Sequence, residues 1–220
     1  TYIAIASAAY EDALITARQL EQSVDAFLAS PSALTMQQAR NAWLAARVPY
    51  QQTEAFRFGN RVVDEWEGRV NSWPLDEGLI DYTAASYGEE SDFNYFYSAN
   101  VIANEIIDLG GITVDAAMIT PQLLAENLHL IDGVEANVAT GYHAIEFLLW
   151  GQDLNGTSPG AGNRQWTDYS LQNCSNGNCD RRRDYLKAAT VLLVNDLEEM
   201  VGNWQPGGAA YMDLMGKGEQ

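Results

Sequence analysis

Four stretches of this chain carry apolar residues at the three- and four-residue steps of a helix, and none shows the two-residue alternation of a strand. In the first, about Tyr2 to Ala29, Ile5, Ala8, Ala9, Leu14, Ala17, Leu20, Val24 and Phe27 make the stripe. Ser30-Pro31-Ser32 stops it. Thr35, with Gln38 three residues on, reads as a capping box opening a second helix from about Met36 to Val63, kinked at Pro49. Thr120-Pro121 reads as a cap followed by proline at the first helical position. It opens a third long helix from Gln122 to about Trp150, with weak points at Gly133 and Gly141. The fourth runs from about Arg181 to Trp204, with Tyr185, Ala189, Leu192, Leu193, Leu197, Met200 and Val201 on its apolar face. Four long helices with one apolar face each predict an all-α helical bundle whose long ordered connections bridge its ends.

Residues 67–90, with Trp73-Pro74, Gly78, Gly88 and scattered aromatics, predict an ordered irregular connection with one short helix. Ser91–Leu109 is compatible with a further helix ended by Gly110-Gly111. Residues 151–178 are rich in Gly, Asn and Ser, and a loop of that length is usually functional or tied down. Residues 1–204 therefore form the bundle domain, and the Gly-rich stretch 205–220 reads as a tail or linker.

Charge narrows the partners. The 30 acidic residues against 12 Lys and Arg give a net charge of −18. Nucleic acid is disfavoured, because phosphate binding needs clustered Lys and Arg. An anionic membrane surface is disfavoured too, and cations are suited. The plain alternative is that the acidity serves solubility. No run reaches the roughly 18–20 apolar residues of a membrane span.

The two cysteines, Cys174 and Cys179, flank Ser-Asn-Gly-Asn, a turn-forming tetrapeptide that lets the thiols meet. The spacing is not the CxxC of zinc or redox motifs, and no other Cys or nearby His completes a metal site. A disulfide is the favoured reading and implies an oxidising compartment such as the periplasm. Two free thiols in a cytosolic loop are the alternative.

Projected on one helix, Asp132, Glu135, His143 and Glu146 share a stripe about a quarter turn from the apolar stripe of Ile131, Val134, Val138, Ile145 and Leu149. His143 and Glu146 are one turn apart, a spacing that presents an imidazole nitrogen and a carboxylate oxygen to one cation. A plain His–Glu hydrogen bond within the bundle satisfies the same spacing. The second helix carries Trp43, Arg47, Tyr50, Glu54, Arg61 and Glu65 at helical steps. If that face meets His143, Glu54 becomes a third ligand and Arg47 balances its charge. The Tyr50–Glu54 segment is then expected to pack against His143–Glu146. A surface ion-pair ladder is the alternative.

The stretch Gly141-Tyr142-His143-Ala144-Ile145-Glu146-Phe147-Leu148-Leu149-Trp150-Gly151-Gln152-Asp153 resembles the GxHxxE signature of the imelysin family, also known as the M75 peptidases. Trp43–Phe58 resembles the family's N-terminal signature, and Arg182-Arg183-Asp184-Tyr185-Leu186-Lys187 its later Arg-Arg-x-x-Tyr-Leu segment. The resemblance spans about Tyr10 to Trp204. It implies a bacterial envelope protein, periplasmic or outer-membrane-associated, mostly helical in two bundle-like halves and linked to iron uptake. It carries the family's His and Glu onto His143 and Glu146, and its N-terminal Glu onto Glu54. Family members usually continue into a second helical half, so the chain is expected to be one half of such a fold.

Three functions follow. The first is a metal-binding component of iron acquisition, with His143, Glu146 and Glu54 as ligands, Arg47, Tyr50, Asp132 and Glu135 as a polar shell, and envelope iron-uptake proteins as partners. One His among carboxylates suits iron or calcium at least as well as zinc. The second is a metallopeptidase of the insulin-cleaving class. Against it, the only histidines, His129 and His143, form no HExxH. The third is a nonmetal bundle that binds a partner.

Overall fold

The computed structural model describes residues 1–89 and 91–217. Helix α1 (Tyr2–Ala29) and helix α2 (Ala33–Thr53) are joined by three residues and pack along their length as a helical hairpin. The cap of α2 lies three residues earlier than the sequence pattern indicates. Ser32 accepts from the Thr35 backbone N–H while the Thr35 hydroxyl accepts from the Ser32 N–H. Pro49 sits inside α2. The helix does not continue to Val63. It tightens into a 3₁₀ turn at Glu54–Phe56, breaks at Gly59 in the left-handed region (φ 76°), and restarts as α3 (Arg61–Asn71), capped by Asn60. A short α4 (Glu77–Ile80) follows.

Residues 91–109 are a correction to the helical expectation. They form turns and then strand β1 (Ile106–Leu109), which pairs antiparallel with β2 (Ile112–Asp115), Leu109 opposite Ile112. Gly110 and Gly111 both have positive φ (57° and 80°), which a two-residue hairpin turn demands. Val114 and Ile107 are buried while their neighbours are not, so the alternation spans too few residues to stand out in the sequence.

The third long helix is also corrected. Thr120 caps α5 (Pro121–Leu123), its hydroxyl accepting from the Leu123 N–H. A wide π turn (Leu124–Leu128) continues it, and the helix then ends. Leu130 and Asp132 have positive φ about a single 3₁₀ turn (Ile131–Gly133), and α-helical geometry resumes only at α6 (Gly141–Trp150). Asp132 and Glu135 are therefore exposed loop residues rather than members of a helical stripe with His143. Gly141 has φ 78°, and a Cβ there would lie 2.4 Å from the Val70 carbonyl oxygen. Only glycine lets α6 start so close to α3.

Helix α7 (Cys179–Trp204) runs antiparallel to α1, with Arg18 paired to Glu198 and Lys187 to Glu21 and Asp25. The stretch after Trp204 is not simply a linker: Ala209–Lys217 forms α8, docked on α3 and α7 with Ala210 buried. Residues 218–220 lie outside the described part. Tyr10, Leu20, Phe27, Leu148, Tyr185 and Leu197 belong to one apolar core shared by α1, α6 and α7. The architecture is an all-α bundle with one small hairpin.

Candidate functional site

Helix α6 is the apolar centre of the bundle, with Ala144, Ile145, Leu148 and Leu149 fully buried. That leaves one narrow face for polar groups, and His143 and Glu146 occupy it. His143 Nδ1 lies 2.9 Å from Glu146 Oε2, with 19% and 41% of the side chains exposed. A neutral imidazole with its proton on Nδ1 donates to the carboxylate and leaves Nε2 as a free electron pair. The indole of Trp73 lies 5.0 Å from the imidazole, centroid to centroid. Trp73 is itself 71% exposed.

These residues line a cleft of about 740 Å³. Its apolar wall comes from α2 (Trp43, Leu44), the 72–76 connection (Trp73, Leu75) and α6 (Phe147, Trp150). Its polar groups are His143, Glu146, Glu77 and Asp153, with backbone from 160–162 closing one side. Trp43 and Trp150 meet edge to face at 5.3 Å, and the Trp43 Nε1–H donates to the Tyr142 carbonyl at 2.9 Å. Arg40 donates to the Leu149 carbonyl at the C-terminal end of α6. Burial pushes the Glu77 carboxyl up to about 7; Arg164 opposes the shift and Asp153 adds to it.

The predicted ligand set is not assembled. Glu54 accepts from Asn71 Nδ2 at 3.2 Å and pairs with Arg57 at 3.4 Å. Arg47 donates to the same Asn71 side chain at 2.6 Å, and its guanidinium lies over the Tyr50 and Tyr142 rings. Helices α2 and α6 do pack together, with the buried Tyr50 ring 4.8 Å from Tyr142. Tyr142 is fully buried, and His143 beside it is partly open. Among the described residues, no three His, Cys, Asp or Glu side chains converge as metal ligands. Glu77, Asp153 and Trp73 were not singled out from the sequence, because irregular connections bring them to the cleft. Asp153 closes the GxHxxE stretch itself, and Trp73 shares a short segment with Glu77, so proximity in sequence was the available signal.

Behind the cleft lies a second polar cluster. Asp81, 1% exposed, accepts from Arg164 (2.6 Å) and from Arg182 Nε and Nη2 (2.6 and 3.0 Å). Asp168 receives Tyr82, Ser175 and Asn176. Burial opposes its charge, but these donors and Arg164 hold the Asp168 carboxyl below the usual range. Ser175 and Asn176 belong to the loop closed by the Cys174–Cys179 disulfide, which the structure contains as expected.

Residues 6–220 match the sequence profile of the imelysin (Peptidase_M75) family, and the chain belongs to that family. It is 34% identical over 76 residues to the iron-regulated protein A of Synechococcus elongatus, a stretch covering 34% of this chain and 21% of that protein. A solved structure described as an iron-regulated protein A precursor from Parabacteroides distasonis shares the fold. Its TM-score is 0.56 at 22% identity, over 94% of this chain and 46% of that one. The matched stretches thus cover less than half of either relative.

Proposed function

We propose that this imelysin-family chain captures a metal ion, iron by preference, in connection with iron uptake, and that His143 and Glu146 are its contact residues. The observation that carries the reading is the partly open His143–Glu146 pair, one helical turn apart in the cleft. The pair fits a cation in either of two ways. Both groups donate to the ion, or Glu146 fixes the imidazole so that Nε2 alone does. Two donors suit cargo that keeps water or other ligands on its remaining positions. Glu54 has no part in that contact, because Asn71 and Arg57 engage its carboxylate. The name carried by both relatives supports the link to iron. The disulfide supports an oxidising compartment, the envelope of the cell. Among the described residues no helix is long and apolar enough to cross a membrane.

The test is titration of the protein and of His143→Ala with iron(II), iron(III) and zinc. Loss of binding in the variant, with its helical circular dichroism unchanged, supports the proposal. Equal binding by both proteins overturns it. Metal-dependent cleavage of a peptide by wild type, lost in His143→Ala, replaces capture with peptidase activity.

A further inference from the structure

The His143–Glu146 pair accounts for only part of the cleft. The remainder has three indoles and two further carboxylates, and among the described residues no Lys or Arg lines it. Glu77 makes no side-chain hydrogen bond or ion pair among the described residues. The cation it senses, Arg164, is buried behind the wall and committed to Asp81 and Asp168. Among the described residues, Asp153 accepts only from the neutral Asn155 backbone and side-chain amides, at 2.8 Å each. Asp153 is close enough to raise the cost of ionising Glu77. The half-buried Glu77 and the exposed Asp153 are thus held beside apolar walls, and among the described residues no Lys or Arg in the cleft lining opposes them.

The fold already shows how such walls meet a cation. Arg40 lies 5.6 Å from the Trp150 ring centroid, and Arg47 lies 5.8 Å from that of Trp43. Indole faces attract ammonium and guanidinium groups through the ring quadrupole. A bare metal ion makes no use of indole walls or of a cavity of about 740 Å³. From the geometry we infer that the Glu77–Asp153 part of the cleft binds an organic cation, an ammonium or guanidinium group on an apolar stem, whose charge meets the carboxylates and whose stem lies against the indoles. This site adds to the proposed metal contact and does not depend on it.

Tryptophan fluorescence and calorimetry of the intact chain with butylguanidinium, its neutral analogue n-butanol, and butyrate test the inference. Saturable binding of butylguanidinium is expected, at least about tenfold tighter than n-butanol, with butyrate excluded. Glu77→Gln and Asp153→Asn should each weaken the cation about fivefold and leave n-butanol unchanged. Equal affinity for the cation and n-butanol overturns the proposal, as does unaltered cation binding in both variants. His143→Ala separates the two readings. Cation binding that survives while iron binding is lost supports both. Absent cation binding beside intact iron binding removes only this one. A blocked Gly-Arg-Gly peptide in a final arm distinguishes the source. Tighter binding than butylguanidinium assigns a protein side chain, and equal or weaker binding assigns a small free amine.

Discussion

Two polar clusters lie on either side of Phe147, and they treat charge in opposite ways. The inner one sets Asp81 and Asp168 against Arg164 and Arg182, two charges of each sign, nearly all without access to solvent. Arg164 lies over the inner side of the Phe147 ring, 5.3 Å away. The cleft on the other side holds His143, Glu146, Glu77 and Asp153, with no Lys or Arg among its lining in the described residues. The inner cluster is closed: its charges cancel and each has several partners. The outer one is open: among the described residues its only internal pairing is His143 with Glu146. Charges committed to one another hold a fold together. Charges left without partners in a cleft are available to a ligand.

Breaking the closed cluster should have the largest effect. Asp81→Asn leaves two buried guanidinium groups with half of their counter-charge gone, and Arg182 without its carboxylate partner. Such a loss costs about 3–5 kcal/mol. In a chain of this size the thermal midpoint should fall by roughly 6–20 °C. A midpoint within about 2 °C of wild type would show that the inner cluster does not carry the stability assigned to it here.

Second comes the disulfide, which ties the loop bearing Ser175 and Asn176 to the start of α7. Closing so short a loop contributes about 2 kcal/mol by chain entropy. The Cys174→Ser, Cys179→Ser double variant should lose that much in urea unfolding. Because Asp168 then loses two ordered donors, its effect and that of Asp81→Asn should not add. Simple additivity would separate the loop from the cluster.

How much of this contrast was legible in the sequence depends on which residues are asked about. His143 and Glu146 were legible, because their spacing within one helix turn fixes their geometry. So were α1, α7 and the Cys174–Cys179 bond. The break after Leu128 was visible only as Gly133 and Gly141, and glycines inside an apolar helical pattern do not say whether they bend it or end it. The turn at Gly110-Gly111 carried a hairpin signal, but four-residue strands offer too little alternation to outweigh a helical reading. Glu54 shows the limit most plainly. Its place on α2 was legible, but its partner Asn71 comes from α3, and no periodicity announces a contact between elements. The inner cluster joins residues 81, 164, 168 and 182 across three connections, so only the folded chain assembles it.

A third prediction concerns pH and the open cluster. Glu77 in the fold keeps its proton up to about 7, above the 4.5 of a free side chain, first because of burial. Its contribution to stability is fully present below pH 4.5 and is lost as pH rises through about 7. Solvent still reaches the group, so the contribution is about 1 kcal/mol rather than the full value of the shift. Glu77→Gln should therefore be more stable than wild type at pH 8 by about that amount, with no gain at pH 4. Equal stability at both pH values would mean that Glu77 is already neutralised in the cleft.

The smallest effect on stability is expected at Glu146, and it is the sharpest test of the contrast. Its side chain is 41% exposed, and among the described residues its one partner is His143 on its own helix. An exposed pair three residues apart contributes a few tenths of a kcal/mol at most. Gln in its place still accepts a hydrogen bond from the imidazole, so Glu146→Gln should unfold within about 0.5 kcal/mol of wild type. Iron binding should respond on a different scale. Whether Glu146 donates to the ion or orients His143, losing its charge should weaken affinity about 10–100-fold. Stability and affinity would then part company at this residue, while at Asp81 stability falls first. Measuring urea unfolding and iron titration on both variants sets the two clusters side by side. If Glu146→Gln destabilises the chain by as much as Asp81→Asn, the outer pair is a structural clamp and the division between closed and open charge fails. If it does neither harm, the His143–Glu146 bond is an ordinary surface pairing, and the cleft's ligand is to be sought at Glu77 and Asp153.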